Sequence, residues 1–300
     1  MIVLACPSCH IHLRVEGNVA TCAACAEQYP TIEGIGRYLS AERAANFAAF
    51  LHDYTTVRLA EGRASDDPTY FRRLPEPTPG GPMAWQWQLR RHSWQTIRRQ
   101  IISPAPPVLS VVDIGAGVGW LSNRLTELGH IAHAVDLTVD AHDGLGAAHH
   151  FATEFVRSQA EMDALPIATG SVDVVFYNAS LHYSCNYSRT LSEALRVLKP
   201  AGRIVVMDSP IYHHRSSGEA MIAERHADFE ARFGSRSDSV PSIGYLTDDM
   251  LTELGAELGL RWSRYRTWYG WKWAWKPWRA RLRRKREPSR FTVLVGQRRR

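Results

Sequence analysis

Long apolar runs are missing from this chain. No stretch reaches the ~20 consecutive apolar residues that a membrane-spanning helix needs, so no transmembrane segment is expected. The opening residues, Met1 to His10, carry no basic stretch, and their apolar run stops at Cys6, too short for an export signal. Cysteine is scarce: five in 300 residues, four of them within the first 25. Without an export signal, such paired thiols read as metal thiolates rather than disulfides, and a cytoplasmic protein is expected. Acid is nearly absent from the last forty residues. They hold fifteen of the 36 Lys and Arg but one of the 30 Asp and Glu, which leaves the rest of the chain mildly acidic. Six of the ten Trp fall there too. With hydrophobic residues at 45% and charged residues at 22%, wholesale disorder and a collagen-like or coiled-coil fibre are excluded. The length suits one large domain, or a medium domain with a small companion.

Cys6, Cys9, Cys22 and Cys25 form two C-x-x-C pairs. Each two-residue gap lets one tight knuckle aim two sulfurs at one point, and the twelve residues between the pairs suffice for a short hairpin. Four thiolates around a tetrahedral zinc ion make a closed, structural site. A metal is needed because so short a module cannot bury enough apolar surface to fold alone. His10 adjoins Cys9 but the Cys set is complete without it. The following Tyr29-Pro30-Thr31-Ile32-Glu33-Gly34-Ile35 resembles the zinc ribbons related to the small methyltransferase-activating subunit, with Thr31 as a departure. The resemblance covers about residues 4–40. Similar ribbons stand fused in front of methyltransferases.

Residues 41–107 read as a helical connector. Ala41 to Leu59 has near-helical apolar spacing, the Pro- and Gly-rich stretch to Pro82 is a loop, and Met83 to Ile102 is helical again. In this second helix Trp85, Leu89, His92 and Ile97 are expected to form the packing face. The prolines at 104, 106 and 107 put a boundary near residue 107.

From Val108 the pattern changes to apolar strands alternating with helices, as in doubly wound folds. Val108 to Ile114 is a β-branched run that stops at Gly115-Ala116-Gly117-Val118-Gly119, and Leu121, Leu125 and Leu128 continue at helical spacing. Glycines permit a sharp turn and close approach of a ligand to bare backbone. A G-x-G-x-G turn alone is a weak signal, because dinucleotide sites use a related pattern. Asp113 discriminates: a pyrophosphate has little use for a carboxylate there, whereas a ligand with an α-amino group does. Asp136 ends the next strand, Ile131 to Val135, where an acid can pair with ribose hydroxyls. Asp163 is suited to accept from an adenine amino group. Val172 to Tyr177 reads as another buried strand, and Arg196 to Asp208 as helix, Pro-Gly turn and strand.

This ordered set resembles the class I S-adenosylmethionine-dependent methyltransferases over about residues 84–297. The resemblance implies an α/β fold: a seven-stranded, mainly parallel Rossmann-like methyltransferase sheet, here with a small N-terminal zinc ribbon (residues 1–40) before the connector and the methyltransferase domain (108–300). It implies S-adenosylmethionine as cofactor, with Asp113, Gly115, Gly117, Gly119, Asp136, Asp163 and Asn178 as binding residues. Residues after the fourth strand of such domains face the transferred methyl group, which makes His182 the candidate general base. Tyr212, His213 and His214, in an insertion after Asp208, are candidate substrate contacts or part of a solvated lid.

Residues 269–288 form a basic, Trp-rich insertion before the last strand. Three readings are open: a hairpin extension whose Trp pack on the ribbon or on the helix before residue 103, a peripheral membrane contact, or a contact with single-stranded RNA. The expected function is methyl transfer to a small-molecule, lipid-linked or glycan intermediate. An RNA base methyltransferase is the alternative, since a Cys-rich zinc module also precedes the core in some ribosomal-RNA enzymes. A non-catalytic, cofactor-binding pseudoenzyme is the third reading. Localisation would then be cytoplasmic, or peripheral at the membrane.

Overall fold

The computed structural model describes residues 2–81, 83–104, 108–236, 238–282 and 285–299. The boundary expected near residue 107, and Arg283 and Arg284 of the basic segment, lie outside them.

The paired-cysteine module forms β1 (Leu13–Glu16), β2 (Val19–Cys22), β3 (Gln28–Ile32) and β4 (Ile35–Arg37). The connector folds as α1 (Ala41–Ala60), α2 (Pro68–Arg73) and α3 (Ala84–Ile97), the last running into one wider turn at Arg98–Ile102. Ser40 starts α1 because its Oγ accepts from the Arg43 N–H at 3.2 Å. The apolar face of α3 differs from the expected one. Trp87, Ser93, Trp94 and Ile97 are buried, while Trp85 points to solvent. The Trp at 85, 87 and 94 allow more than one phase for the stripe, and packing against Trp120 selects the inner one.

The α/β body contributes β5 (Ser110–Ile114), α4 (Trp120–Glu127), β6 (Ile131–Asp136), β7 (Val156–Gln159), β8 (Val172–Asn178), α5 (Tyr187–Val197) and β9 (Leu198–Met207). β9 starts earlier than its sequence suggests. Lys199 to Gly202 stay in the strand, and a register shift opposite Val172 and Val174 takes up the extra residues. The insertion after Asp208 holds β10 (Ile211–Tyr212), α6 (Arg215–Phe233) and β11 (Leu246–Thr247). Then come α7 (Asp248–Glu257), β12 (Leu260–Arg266), the short helices α8 (Trp271–Ala274) and α9 (Lys276–Leu282), and β13 (Thr292–Arg298).

The expected seven-stranded sheet is corrected to a larger one. Among the described residues, eleven strands join in the order β1-β2-β3-β4-β7-β6-β5-β8-β9-β13-β12. Seven of them, β7 to β12 in that order, are the expected sheet, parallel except for β13, which is antiparallel to both neighbours. The four others extend it, because β4 pairs in parallel with β7 through Gly36↔Ser158 and Arg37↔Gln159. Ribbon and body also share one core: Cys6, Cys22, Tyr29 and Tyr38 pack in the same apolar cluster as Leu165, Ile167 and Val175. An edge strand otherwise left unpaired at β7 is thereby covered.

The chain leaves β5 in both directions, to β6 and β7 on one side and to β8 and β9 on the other. Such a switch point opens a crevice at the carboxyl ends of the strands. The helix α1 crosses above this crevice. Ion pairs hold both of its ends: Arg43 to Glu161 at 2.6 Å, and Arg58 to Asp143, whose Nη2 to Oδ1 distance is 2.6 Å.

Candidate active site

Two cavities lie at the switch point, beneath α1. The larger, about 660 Å³, is walled by Phe47 and Phe50 of α1, by Asp136 and Leu137 after β6, and by Met162 and Asp163. This volume suits a nucleoside-sized ligand, as ligand pockets run to roughly 300–1,000 Å³. The smaller, about 280 Å³, is lined by Trp87 and Arg90 of α3, Gly117, Asn178, His182 and Asp208. Tyr54, Gly115, Ala179 and Tyr183 border both. The glycine turn is therefore the shared wall, with the Tyr54 and Tyr183 rings edge-on to each other at 6.1 Å beside it.

The turn needs its glycines for different reasons. Gly115 has φ +69°, and a Cβ there would lie 2.3 Å from the Ser180 Cβ. Gly119 has φ +79° and its place is closed by the Phe155 ring, 2.8 Å from a would-be Cβ. Left-handed backbone at both positions excludes ordinary side chains. Gly119 packs the turn and touches neither cavity, whereas Gly115 and Gly117 line them.

Asp136 Oδ2 accepts from the Gly117 N–H at 2.7 Å, and its Oδ1 from the Thr138 N–H at 2.9 Å. Each oxygen keeps a lone pair, so the carboxylate can still receive two hydroxyls from the larger cavity. Burial raises its pKa above the usual carboxylate value, against the pull of those N–H groups. Asp163 lines the same cavity and pairs with Arg189 at 2.8 Å; burial outweighs that cation, and its pKa is raised. Asp113 sits apart. It is buried under the turn, bordering neither cavity, with Oδ2 accepting from Ser122 Oγ at 3.1 Å. Burial lifts its pKa to about 7. The bond from Ser122 ties the end of β5 to the start of α4, while Oδ1 is buried without a partner among the described residues.

Toward the smaller cavity, Asn178 ends β8 with its Oδ1 buried and without a partner among the described residues. His182 lines the cavity too, its Nδ1 3.3 Å from Ser209 Oγ. Burial, helped by the charges of Arg225 and Arg90, lowers its pKa to about 3. It is thus a neutral and weakly basic imidazole. Three residues that the sequence reading did not single out converge here. Asp208 follows β9 in a left-handed backbone, φ 54°, uncommon for a residue with a side chain. Its Oδ1 accepts from Ser93 Oγ at 2.5 Å, while Oδ2 is buried and unpaired among the described residues. Burial raises its pKa, opposed by Ser93 and Arg90. Arg90 lies over the Trp87 ring at 4.6 Å, its pKa lowered to about 10 by burial. With the Ser93 proton given to Asp208, the Tyr269 hydroxyl donates to Ser93 Oγ at 2.9 Å. Asp208 carried a signal, since it ends an apolar strand as Asp136 does.

Away from the crevice, the sulfurs of Cys6, Cys9, Cys22 and Cys25 lie within 4.8 Å of one another. Cys6 and Cys25 are 3.6 Å apart, Cys9 and Cys22 3.3 Å, and Cys9 and Cys25 4.0 Å. Zinc–sulfur bonds of about 2.3 Å in a tetrahedron put sulfurs about 3.8 Å apart, so the four thiols fit that metal. Tyr212 is buried and its ring is 6.1 Å from that of Tyr245, and His213 pairs with Asp248 at 3.0 Å; neither borders a cavity.

Comparisons with known proteins agree with this geometry. Residues 112–206 match the family model described as a methyltransferase domain. A malonyl-[acyl-carrier protein] O-methyltransferase of Hahella chejuensis is 33% identical over 98 residues, 32% of this chain and 34% of that protein. An uncharacterized methyltransferase of Mycolicibacterium gilvum is 30% identical over 162 residues, 52% of this chain and 61% of that protein. The matches to the malonyl-[acyl-carrier protein] enzymes span about a third to a half of those relatives' length. Among solved structures, phosphoethanolamine N-methyltransferase 2 of Haemonchus contortus, in complex with S-adenosyl-L-methionine, superposes with a TM-score of 0.51 at 13% identity. The superposition covers 79% of this chain and 61% of that one, and it establishes the fold. Residues 112–206, which hold the glycine turn and Asp113, Asp136, Asp163 and Asn178, thus match a methyltransferase domain, and the chain has the fold of a methyltransferase.

Proposed function

We propose that this chain transfers a methyl group from S-adenosylmethionine to a small-molecule or lipid-linked acceptor. The observation that carries this reading is the common wall of the two cavities. One holds the acids suited to a nucleoside, the other holds polar atoms without partners among the described residues, and Gly115 and Ala179 border both. Two ligands bound on either side would meet there, and in-line displacement needs that juxtaposition more than any other device. When bound, S-adenosylmethionine supplies a methyl group on a sulfonium whose departure leaves a neutral thioether.

The chain's own residues do the rest. Asp136 would receive the two ribose hydroxyls, and Asp163 the adenine amino group. Asn178 Oδ1 offers a bare acceptor at the edge of the glycine turn. Phe50, Tyr54 and Tyr183 exclude water from the join. If the acceptor atom carries a proton, Asp208 Oδ2 takes it. This group is better suited than His182, whose lowered basicity leaves it to position the acceptor through its contact with Ser209. Cys6, Cys9, Cys22 and Cys25 would hold a structural zinc ion far from this chemistry, fixing the strands that extend the sheet. The small acceptor cavity, about 280 Å³, favours a small molecule, or the head of a lipid-linked one, over an RNA helix.

Incubation with methyl-labelled S-adenosylmethionine and cell extracts separated into small-molecule, lipid and RNA fractions tests the reading. Label is expected in a small-molecule or lipid fraction, with stoichiometric S-adenosylhomocysteine. Label confined to RNA, or absent altogether, contradicts it.

A further inference from the structure

The segment between β12 and β13 turns its tryptophans outward. Trp268, Trp271, Trp275, Trp278 and Leu282 follow one another at spacings of three or four residues, the repeat of one helical face. The backbone supports that spacing across the break between α8 and α9, because the Trp275 N–H donates to Trp271 O and the Arg279 N–H to Trp275 O, each at 3.1 Å. All five side chains are exposed, from 57% for Trp268 to 81% for Leu282. The opposite face is anchored. The Trp273 ring packs on Tyr269 and Phe291 at 5.7 and 5.5 Å, and Lys276 Nζ lies 3.5 Å over it. Folded chains rarely leave so many large apolar rings in one exposed row without a partner. Of the four tryptophans of α8, α9 and the turn joining them, Trp273 alone packs inward, and its ring partners are Tyr269 and Phe291 rather than the ribbon or α3.

The charge around the row identifies its partner. Trp268 to Arg286 contains eight Lys and Arg and no Asp or Glu. Arg279 and Arg281 are exposed on α9, beside the apolar row. An apolar stripe of Trp and Leu flanked by cations is the pattern of a helix lying in the plane of a bilayer. The indoles sit at the headgroup level and the cations meet anionic lipid. We infer that Trp268 to Leu282 docks this protein onto a membrane surface rich in anionic phospholipid. Stacking on single-stranded RNA would use the same residue types. However, bases stack in a cleft that tracks the backbone phosphates, and here the rings form one exposed ridge outside both cavities, with Arg279 and Arg281 exposed on α9. The ridge stands next to the acceptor cavity, since Phe291, on which Trp273 rests, also lines that cavity. Docking would set the cavity close to the lipid. The inference does not depend on the methyltransferase reading.

Cosedimentation of the full chain with phosphatidylcholine vesicles, with and without phosphatidylglycerol, tests it without any activity assay. Binding to the phosphatidylglycerol vesicles is expected, with a blue shift of tryptophan emission and much of the binding retained in about 0.5 M NaCl, where screened ion contacts fail. The triple substitution Trp271→Ser, Trp275→Ser and Trp278→Ser should weaken binding by about tenfold or more, and Arg279→Glu with Arg281→Glu should weaken it mainly at low salt. Thermal melts unchanged from wild type establish that both variants are folded. Failure of the wild type to bind vesicles overturns the inference, as does binding unaffected by the triple substitution. Complete loss of vesicle binding in salt, together with tight binding of single-stranded RNA that needs the same tryptophans, assigns the ridge to nucleic acid instead.

Discussion

The two cavities under α1 share a wall but differ in origin. The larger takes its acids from the ends of adjacent parallel strands, Asp136 after β6 and Asp163 after β7, within one run of α/β chain. The smaller is assembled from distant pieces: Arg90 from α3, Asn178 and His182 after β8, Asp208 after β9, and Phe291 before β13. Its charges also differ. Asp208 and Arg90 are both half-buried, and each lies in the other's field. A donor site of this kind can stay the same across chemistries while an acceptor site changes, since fold-defining strand ends fix the first and insertions and added helices build the second.

Substitutions can separate the two halves. The largest effect is expected from Asp208→Asn. It should lower turnover by about 10²- to 10⁴-fold, the usual contribution of a general base, while S-adenosylhomocysteine affinity stays within about twofold. In the wild type, activity should rise with pH through the raised pKa of Asp208, above the ordinary carboxylate value of 3.8. That limb of the pH–rate profile should vanish in the variant. Unchanged turnover on the true acceptor would remove Asp208 from the chemistry.

Next in size is the ribbon. A chelator strong enough to strip zinc, or Cys22→Ser, should release one equivalent of metal and lower Tm by several degrees, about 4 °C or more for a loss of a few kcal/mol. Because β4 continues the sheet at β7, the melt should remain a single transition. Two separate transitions would show the ribbon to be an independent unit. His182→Ala should cost less, under about tenfold in turnover, because an imidazole with a pKa of about 3 is a poor base. A loss matching that of Asp208→Asn would restore His182 as the base. The smallest effect concerns Asp113. Its pKa is raised on folding from 3.8 to about 7, so its contribution favours the fold below the lower value and is lost as pH rises through the upper. Relative to Asp113→Asn, the ligand-free wild type should therefore lose stability in urea between about pH 4 and pH 7. A constant difference across that range would contradict the burial of this carboxyl.

The glycine turn and Asp136 could be read from residues 108–136 because their signals are local. A β-branched run must end where Gly115 turns, and Asp136 closes the following strand by the same logic. The four cysteines announced their cluster by spacing alone. The smaller cavity resisted, because its lining runs from Tyr54 to Phe291, 237 residues apart, and nothing in either neighbourhood refers to the other. Asp208 looked like any strand-end acid. The helix α1 was legible as a helix, but its seat over the crevice depends on Arg43 and Arg58 finding Glu161 and Asp143. The four-strand extension also escaped, since β4 meets β7 about 120 residues away through two paired residues. The spacing of the Trp row was visible in the chain, whereas its outward direction depended on Trp273 being the ring that packs.

Isothermal titration of S-adenosylhomocysteine into the wild type and Asp136→Ala tests the central claim most directly. The account predicts one site per chain in the wild type and an affinity at least about tenfold lower in the variant, since each hydrogen bond to a charged acceptor contributes about 1.5–3 kcal/mol. No heat from the wild type, or equal affinities for the two proteins, would contradict it.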